Sequence, residues 1–152
     1  MFIMQNTLFV GFKGKNNSAG ILVQSITKNY CLLTNSFNGL KRDIGCIDGD
    51  YDSILMFGVD KDLKSSLRIE SVAEINNIRH SSILDLEKIS ECLNVVGVDN
   101  HISAIPTHYL CNEAYWYMLQ KFNGKAAFIH IPTIKYFDDN LIMKVKQAFA
   151  KF

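Results

Sequence analysis

The stretch HISAIPTHYLCNEAYWYMLQKFNGKAAFIHIP, residues 101–132, carries the clearest structural pattern in the chain. It predicts a short strand at Ile102–Ile105, interrupted by Pro106, and then a helix at Leu110–Phe122 whose apolar positions are mostly aromatic. Ala126–Ile131 is an apolar strand that the following proline ends. A strand, a helix and a strand in this order are typical of a layered α/β fold.

The rest of the chain continues the alternation of short apolar runs with segments of helical spacing. The further predicted strands are Thr7–Phe12, Tyr30–Thr34, Ser53–Gly58 and Leu67–Ala73, and the further predicted helices are Ser18–Thr27 with Ser18 as its cap, Asp85–Val96 and Asp138–Phe149. The segment Ser36–Asp50 is rich in Gly, Asp and Asn and has no clear assignment. Because no repeat or linker interrupts this order, we expect one domain over residues 1–152, with a single sheet covered on both faces.

Composition excludes several classes of protein. The 152 residues are 48% apolar and 20% charged, with a formal net charge of +1, as in an ordinary globular protein. This charge gives no electrostatic reason to expect nucleic acid or an anionic membrane as a partner. No apolar run approaches the roughly 20 residues of a membrane helix, and the N-terminal residues lack the pattern of a secretory signal. We expect a soluble, cytoplasmic protein.

The cysteines and histidines do not predict a metal site. No CxxC pair occurs among Cys31, Cys46, Cys92 and Cys111, so neither a zinc ribbon nor a dithiol redox centre is indicated. The histidines, which are His80, His101, His108 and His130, have no ligand spacing either. We therefore expect no metal and no cofactor. In a reducing cytoplasm the ordinary role of each cysteine is that of a small buried hydrophobe.

Three residues nevertheless have surroundings that suit chemistry. Cys111 falls in the first turn of a predicted helix, where unpaired amides and the helix dipole favour a thiolate; the alternative is a packed cysteine. His130 lies at the carboxyl end of an apolar strand, where ligands bind in open α/β sheets, although such a histidine can also be a core residue. Glu70, within LRIESVA, needs a partner unless it faces solvent. Together they supply the nucleophile, base and orienting carboxylate of covalent acyl transfer.

The same segments resemble a known family of enzymes. HYLCNEAYWYML followed by AAFIHIP resembles the cysteine and histidine regions of the pyroglutamyl peptidases, or pyrrolidone-carboxylate peptidases, in which a YxCN helix start precedes a GFIHIP or GFIHVP strand. The first strand of that family is similar to NTLFVGF in this chain. Two regions between that strand and the cysteine region are similar to YDSILMFGVDKDLKSSLRIESVAEIN and LDLEKISECLNVVGVDNHISAI. The resemblance runs in order over most of the chain. It implies a three-layer α/β/α sandwich with a twisted, mostly parallel mixed sheet.

The resemblance also implies an activity and a set of site residues. Cys111, His130 and Glu70 match the catalytic cysteine, histidine and glutamate of the family. Arg79 falls near the arginine beside the reacting carbonyl, where it would stabilise an oxyanion, and Phe12 matches a phenylalanine that lines the lactam pocket. From the sequence alone, a solvated loop cation is an equally good interpretation of Arg79, and a phenylalanine such as Phe12 is more often a simple core residue. The implied protein is a homo-oligomeric cysteine peptidase that acts on N-terminally pyroglutamylated peptides.

The loops depart from the family pattern, and the chain is shorter than the family norm. The Pro-Phe and glycine-rich loop of the family is replaced by Lys13–Asn17, and its Ala-Gly-Arg turn is replaced by Asp60–Lys64. Of its Arg-Ile-Pro-Asp-Asn loop only Arg79–Ser81 remains, and its Ser-Ala-Gly segment before the cysteine is replaced by Ile105–Thr107. Three hypotheses follow: a pyroglutamyl peptidase, a related small amidase or acyl hydrolase with a remodelled pocket, and a non-catalytic binding or structural relative in which Cys111 is buried and unreactive.

Overall fold

Residues 6–150 and 152, which the computed structural model describes, form eight strands and five helices. The strands are β1 (Thr7–Phe12), β2 (Tyr30–Leu33), β3 (Ser53–Val59), β4 (Ser66–Glu70), β5 (Val72–Ile75), β6 (Ile78–Ser81), β7 (Asp99–Ser103) and β8 (Ala126–Ile131). The helices are α1 (Ser18–Ile26), α2 (Phe37–Gly45), α3 (Leu86–Val95), α4 (Tyr109–Lys121) and α5 (Asp139–Phe149).

Six of the strands form one mixed sheet in the order β2-β1-β3-β8-β4-β7. Every neighbouring pair is parallel except β4 and β8, which run antiparallel. The other two strands, β5 and β6, form a separate antiparallel hairpin. The predicted mostly parallel mixed sheet is therefore confirmed.

Helices cover both faces of this sheet. Successive side chains of a strand point to opposite faces, so Ala127 and Ile129 of β8 pack in a core with α1, α3 and α5. Ala126 and Phe128 of the same strand pack in a second core with α2 and α4. This arrangement is the predicted three-layer sandwich. His130 has the same parity as Phe128 and so lies on the α4 side.

The predicted strand Leu67–Ala73 is wrong as a single element. β4 ends at Glu70 in the main sheet, and Val72 begins the hairpin. At the break, the Ser71 amide and hydroxyl both donate to the Ser103 carbonyl, at 2.9 and 2.8 Å. The apolar alternation continues through this corner, so the pattern alone does not reveal it. The hairpin then closes through Asn76 and Asn77, both at positive φ, which suits a two-residue turn.

Two helix starts also differ from the sequence interpretation. The N-cap of α1 is Asn17, whose side-chain oxygen accepts hydrogen bonds from the Ala19 and Gly20 amides. The Ser18 hydroxyl instead donates to the Pro132 carbonyl at 2.6 Å. The unassigned segment contains α2, capped by Ser36, with Leu40 and Ile44 buried. Its glycine and asparagine content conceals a short amphipathic helix.

The strand before the nucleophile candidate ends earlier than expected. β7 covers Asp99–Ser103 in place of Ile102–Ile105, so residues 104–108 form a loop that leads into α4. This loop is free to line a cleft. Within residues 6–150 and 152, no helix is both long and apolar enough to cross a membrane.

Two glycines in helices provide a matched test of the packing of α1 on β1. A Cβ at Gly20 would lie 2.4 Å from the Phe12 carbonyl oxygen, whereas a Cβ at Gly45 has no atom within 4 Å. We expect Gly20→Ala to lower the free energy of unfolding by about 1–3 kcal/mol, because two backbone segments must separate. Gly45→Ala should be neutral or stabilise by up to about 1 kcal/mol through helix propensity. Urea denaturation measures both, and equal effects would contradict the packing described.

Candidate active site

The Cys111 and His130 side chains both lie near the carboxyl ends of β3 and β8. Gly58 of β3 is the register partner of His130, and a Cβ on Gly58 would lie 2.9 Å from Cys111 Sγ. The sulfur therefore lies directly above the strand beside His130. Both side chains line one cleft of about 660 Å³. The carboxyl edge of the parallel strands is the usual ligand-binding edge of such sheets.

His130 is held by a buried carboxylate. Its Nδ1 lies 2.9 Å from Glu70 Oε1, and the two side chains are only 5% and 2% exposed. Because a carboxylate accepts, Nδ1 carries the proton, and Nε2 is left as the acceptor. The Tyr115 hydroxyl fixes the strand by donating to the Glu70 carbonyl oxygen at 2.8 Å. Burial of that hydroxyl raises the pKa of Tyr115, so it remains a donor.

A guanidinium completes this cluster. Arg68 is the register partner of His130 on the antiparallel strand, and its Nε donates to Glu70 Oε1 at 2.5 Å. Its Nη2 donates to Asp60 Oδ2 at 2.7 Å. Burial disfavours the charged guanidinium and by itself would lower the pKa of Arg68. The hydrogen bonds to Glu70 and Asp60 and the negative charges of these carboxylates outweigh the effect of burial, so the pKa of Arg68 is raised. The Asp60 carboxyl loses solvation too, yet the Asp62 amide and Arg68 hold its pKa below the ordinary value.

The expectation of a stabilised thiolate at Cys111 is wrong. Burial, together with the charges of Asp60 and Glu70, raises the pKa of Cys111 to about 12, and Arg68 opposes them only in part. Cys111 is the third residue of α4, as expected, but desolvation and two carboxylates outweigh the helix start. Within the described part of the chain, Sγ forms no hydrogen bond to the imidazole. The resting site therefore holds a neutral thiol.

Two connecting segments contribute most of the cleft lining, residues 60–62 after β3 and residues 105–110 before and at the start of α4. The charged lining residues are Asp60, Lys61, Asp62 and Arg68, which together are called the charged wall. Among the apolar and aromatic lining residues, Ile105 and Tyr109 are 77% and 84% exposed. The cleft therefore combines charged side chains with exposed apolar ones.

Asn112, the residue after Cys111, bonds to the β5–β6 hairpin and does not line the cleft. Asn112 is buried, and its amide side chain accepts from the Glu74 amide at 3.1 Å and donates to the Glu74 carbonyl at 2.8 Å. Trp116, one turn on, donates to the Ile78 carbonyl at 2.9 Å. These bonds attach the β5–β6 hairpin to α4. The Cys-Asn pair thus presents one side chain to the cleft and one to the supporting hairpin.

Two residues expected at the site lie elsewhere. Arg79 is on β6, is half exposed, and pairs with Glu74 at 3.3 Å, so it does not line the cleft. Phe12 is 3% exposed in the core between the sheet and the α2 and α4 helices, and it does not line the cleft either. The guanidinium beside the imidazole is that of Arg68.

Sequence reasoning missed three residues that shape the site. A period of two places Arg68 on the same face of β4 as Glu70, which was a usable signal. Asp60 directly follows a buried strand, the position from which a side chain reaches the ligand-binding edge. Gly58 gave no signal, because its close approach to the sulfur depends on how α4 packs.

The neutral thiol predicts a steep pH dependence for alkylation. Iodoacetamide reacts with the thiolate, so the rate at Cys111 should be very low at pH 7 and rise about tenfold per pH unit up to about pH 10. Peptide mapping by mass spectrometry resolves Cys111 from the other cysteines, and Cys111→Ala supplies the blank. A fast rate that does not change between pH 7 and pH 10 would show a preformed thiolate and contradict this result.

Solved structures of pyrrolidone carboxyl peptidases share this architecture. The enzyme from Thermus thermophilus superposes with a TM-score of 0.75 at 14% identity, covering 96% of this chain and 100% of that chain. The enzyme from Fervidobacterium islandicum AW-1 gives 0.74 at 19% identity, covering 93% of each chain. That from Thermococcus litoralis gives 0.70 at 19% identity, covering 95% of this chain and 91% of the other.

No protein-family model and no curated protein sequence matches the chain. The likeness to the solved structures is therefore one of three-dimensional form, at identities of 14–19%. It extends over nearly the whole of both chains. The chain has the fold of the pyrrolidone carboxyl peptidases.

Proposed function

We propose that this protein is a cysteine peptidase of the pyroglutamyl-peptidase family, which removes an N-terminal pyroglutamyl residue from peptides. Cys111, His130 and Glu70 would be its catalytic triad. The observation that carries the proposal is the buried Glu70–His130 hydrogen bond at the cleft that Cys111 also lines. The predicted cytoplasmic location and homo-oligomeric state form part of this proposal.

The first chemical step follows from the neutral thiol. As Cys111 Sγ attacks the scissile carbonyl carbon, His130 Nε2 takes the thiol proton, and Glu70 stabilises the imidazolium. The tetrahedral intermediate collapses by breaking the carbon–nitrogen bond, and the imidazolium gives its proton to the leaving amine. A thioester on Cys111 remains. Proton transfer that accompanies attack suits a site that disfavours the free thiolate.

The start of α4 can stabilise the oxyanion of that intermediate. The first amides of a helix have no acceptor within the helix, and here the capping residue His108 makes no side-chain hydrogen bond to them. These amides lie beside Cys111, and their partial positive charge favours an oxyanion. Arg79 and Phe12, which the family resemblance implied, lie away from the cleft and have no role in this proposal.

Hydrolysis of the thioester uses the same base. His130 Nε2 accepts a proton from a water molecule as its oxygen attacks the thioester carbonyl. The carbon–sulfur bond then breaks, the sulfur regains a proton from the imidazolium, and the free acid leaves. Glu70 keeps Nδ1 as the donor throughout, so Nε2 alone exchanges protons with the cleft.

The charged wall of the cleft favours a second candidate. Asp60, Lys61, Asp62 and Arg68 line the space beside Cys111, whereas a neutral lactam needs apolar walls and backbone partners. A related amidase that accepts a more polar acyl group fits this lining. The reacting groups would be the same in both candidates, and only the acyl group would differ.

A fluorogenic pyroglutamyl aminocoumarin amide tests the proposed activity directly. We expect turnover by the wild type and only the blank rate for Cys111→Ala. His130→Ala and Glu70→Gln should lower kcat by roughly 10²- to 10⁴-fold, since they remove the base or its orienting acceptor.

Arg42→Met, on the surface of α2, is a matched control that should keep full activity. Turnover that persists in Cys111→Ala would reject the triad. Absence of pyroglutamyl turnover, with Cys111-dependent cleavage of aminocoumarin amides of polar acyl groups, would select the second candidate. Absence of both would leave the non-catalytic hypothesis.

A further inference from the structure

We propose that Arg68 is a positioning residue of this site: anchored by Asp60, it fixes the Glu70 carboxylate on His130 and provides the positive charge that offsets the anion formed at Cys111. This role rests on the proposed function in one respect, namely that Cys111 and His130 are the reacting groups. The geometry and charges that support it are independent of the substrate.

The geometry assigns Arg68 one partner on each side. Its Nε and the imidazole Nδ1 both reach Glu70 Oε1, at 2.5 and 2.9 Å. Its Nη2 reaches Asp60 at 2.7 Å and lies 3.4 Å from Nδ1. Since both are donors, the carboxylate is the nearer and better partner for Nδ1. A planar fork spans both carboxylates, which the single nitrogen of a lysine cannot do.

The charges in the cleft show why a cation is needed there. Two carboxylates, Asp60 and Glu70, disfavour an anion at Cys111, and the Arg68 guanidinium favours one. The other titratable groups that line the cleft are Lys61 and Asp62 on the loop after β3, His108 before α4, Tyr109 at the start of α4, and His130 on β8. Removing Arg68 would leave two partly or fully buried carboxylates facing the sulfur without their guanidinium.

The position of Arg68 distinguishes this role from a surface ion pair. Its side chain is 20% exposed, and the carboxylate of Glu70 is 2% exposed. Glu70 Oε2 has no hydrogen-bond partner within residues 6–150 and 152, so Oε1 carries both of the carboxylate's bonds. Loss of one of those two donors changes the environment of the imidazole directly.

Two substitutions test the inference through changes of opposite sign. The readout is the iodoacetamide rate at Cys111 at pH 9, below the pKa of the thiol, where the rate follows the thiolate fraction. Arg68→Met removes a cation and should slow alkylation about 3- to 10-fold. Asp60→Asn removes an anion and should accelerate it by a similar factor. A general loosening of the site would move both rates in the same direction.

Matched variants separate charge from folding. Arg68→Lys keeps the charge without the fork and should restore most of the alkylation rate, while Arg42→Met removes an exposed guanidinium elsewhere and should change nothing. Thermal unfolding of each variant checks the fold. If Arg68→Met does not fold, Arg68→Gln, which removes the charge and keeps a hydrogen-bond donor, takes its place: slower alkylation supports the proposal, and an unchanged or faster rate overturns it.

The alkylation assay needs no peptide, so its outcome is distinct from that of the proposed activity. Equal rates in wild type and Arg68→Met, or changes of the same sign in both variants, overturn the role of Arg68 even if pyroglutamyl substrates are cleaved. Where a substrate is cleaved, Arg68→Met should lower kcat with little change in KM, because Arg68 acts through Glu70 and the sulfur. A change confined to KM would contradict a positioning role.

Discussion

The buried carboxylate of Glu70 is the group on which the arrangement of the site depends. An isolated charge that is 2% exposed would cost several kcal/mol, so it requires partners of matching charge or polarity. Arg68 and His130 provide them on adjacent antiparallel strands. Removing Arg68 would leave the carboxylate without a cationic partner, whereas removing His130 would leave the ion pair but take away one of its two hydrogen bonds.

Burial, followed by the charges of Asp60 and Glu70, explains why the thiol of Cys111 is neutral at rest. A helix start stabilises an anion, but its contribution is typically about 1 kcal/mol, whereas burial beside two carboxylates raises the pKa of Cys111 to about 12. A site of this kind resists adventitious alkylation and oxidation, since both need the thiolate. It becomes nucleophilic only when a substrate carbonyl lies close enough for proton loss and attack to occur together.

Local sequence patterns predicted the sheet strands better than the corners and the charges. Ala126–Ile131 and Thr7–Phe12 were assigned with their observed bounds, because apolar runs of that length need burial on both faces. The corner at Ser71 was missed because the alternation of apolar and polar residues continues from β4 into β5 without a break. Helix α2 was missed because only three of its residues are buried, too few to give a clear helical pattern. The inference of a stabilised Cys111 thiolate was wrong for a tertiary reason: the thiol pKa is raised by burial in the folded chain and by the carboxylates of Asp60 and Glu70, which come from distant segments.

The division between scaffold and loops separates what the site can do from what it can bind. Glu70, Arg68 and His130 lie on strands of the main sheet, whose positions are set by two packed cores and change little with the loops. The cleft walls, by contrast, are residues 60–62 and 105–110, connections whose length and composition can vary without disturbing the sheet. Selection on substrate can therefore alter this chain at the loops while the strand-borne groups stay in place. In this chain those connections bring charged side chains of residues 60–62 and the exposed Ile105 and Tyr109 to the same cleft.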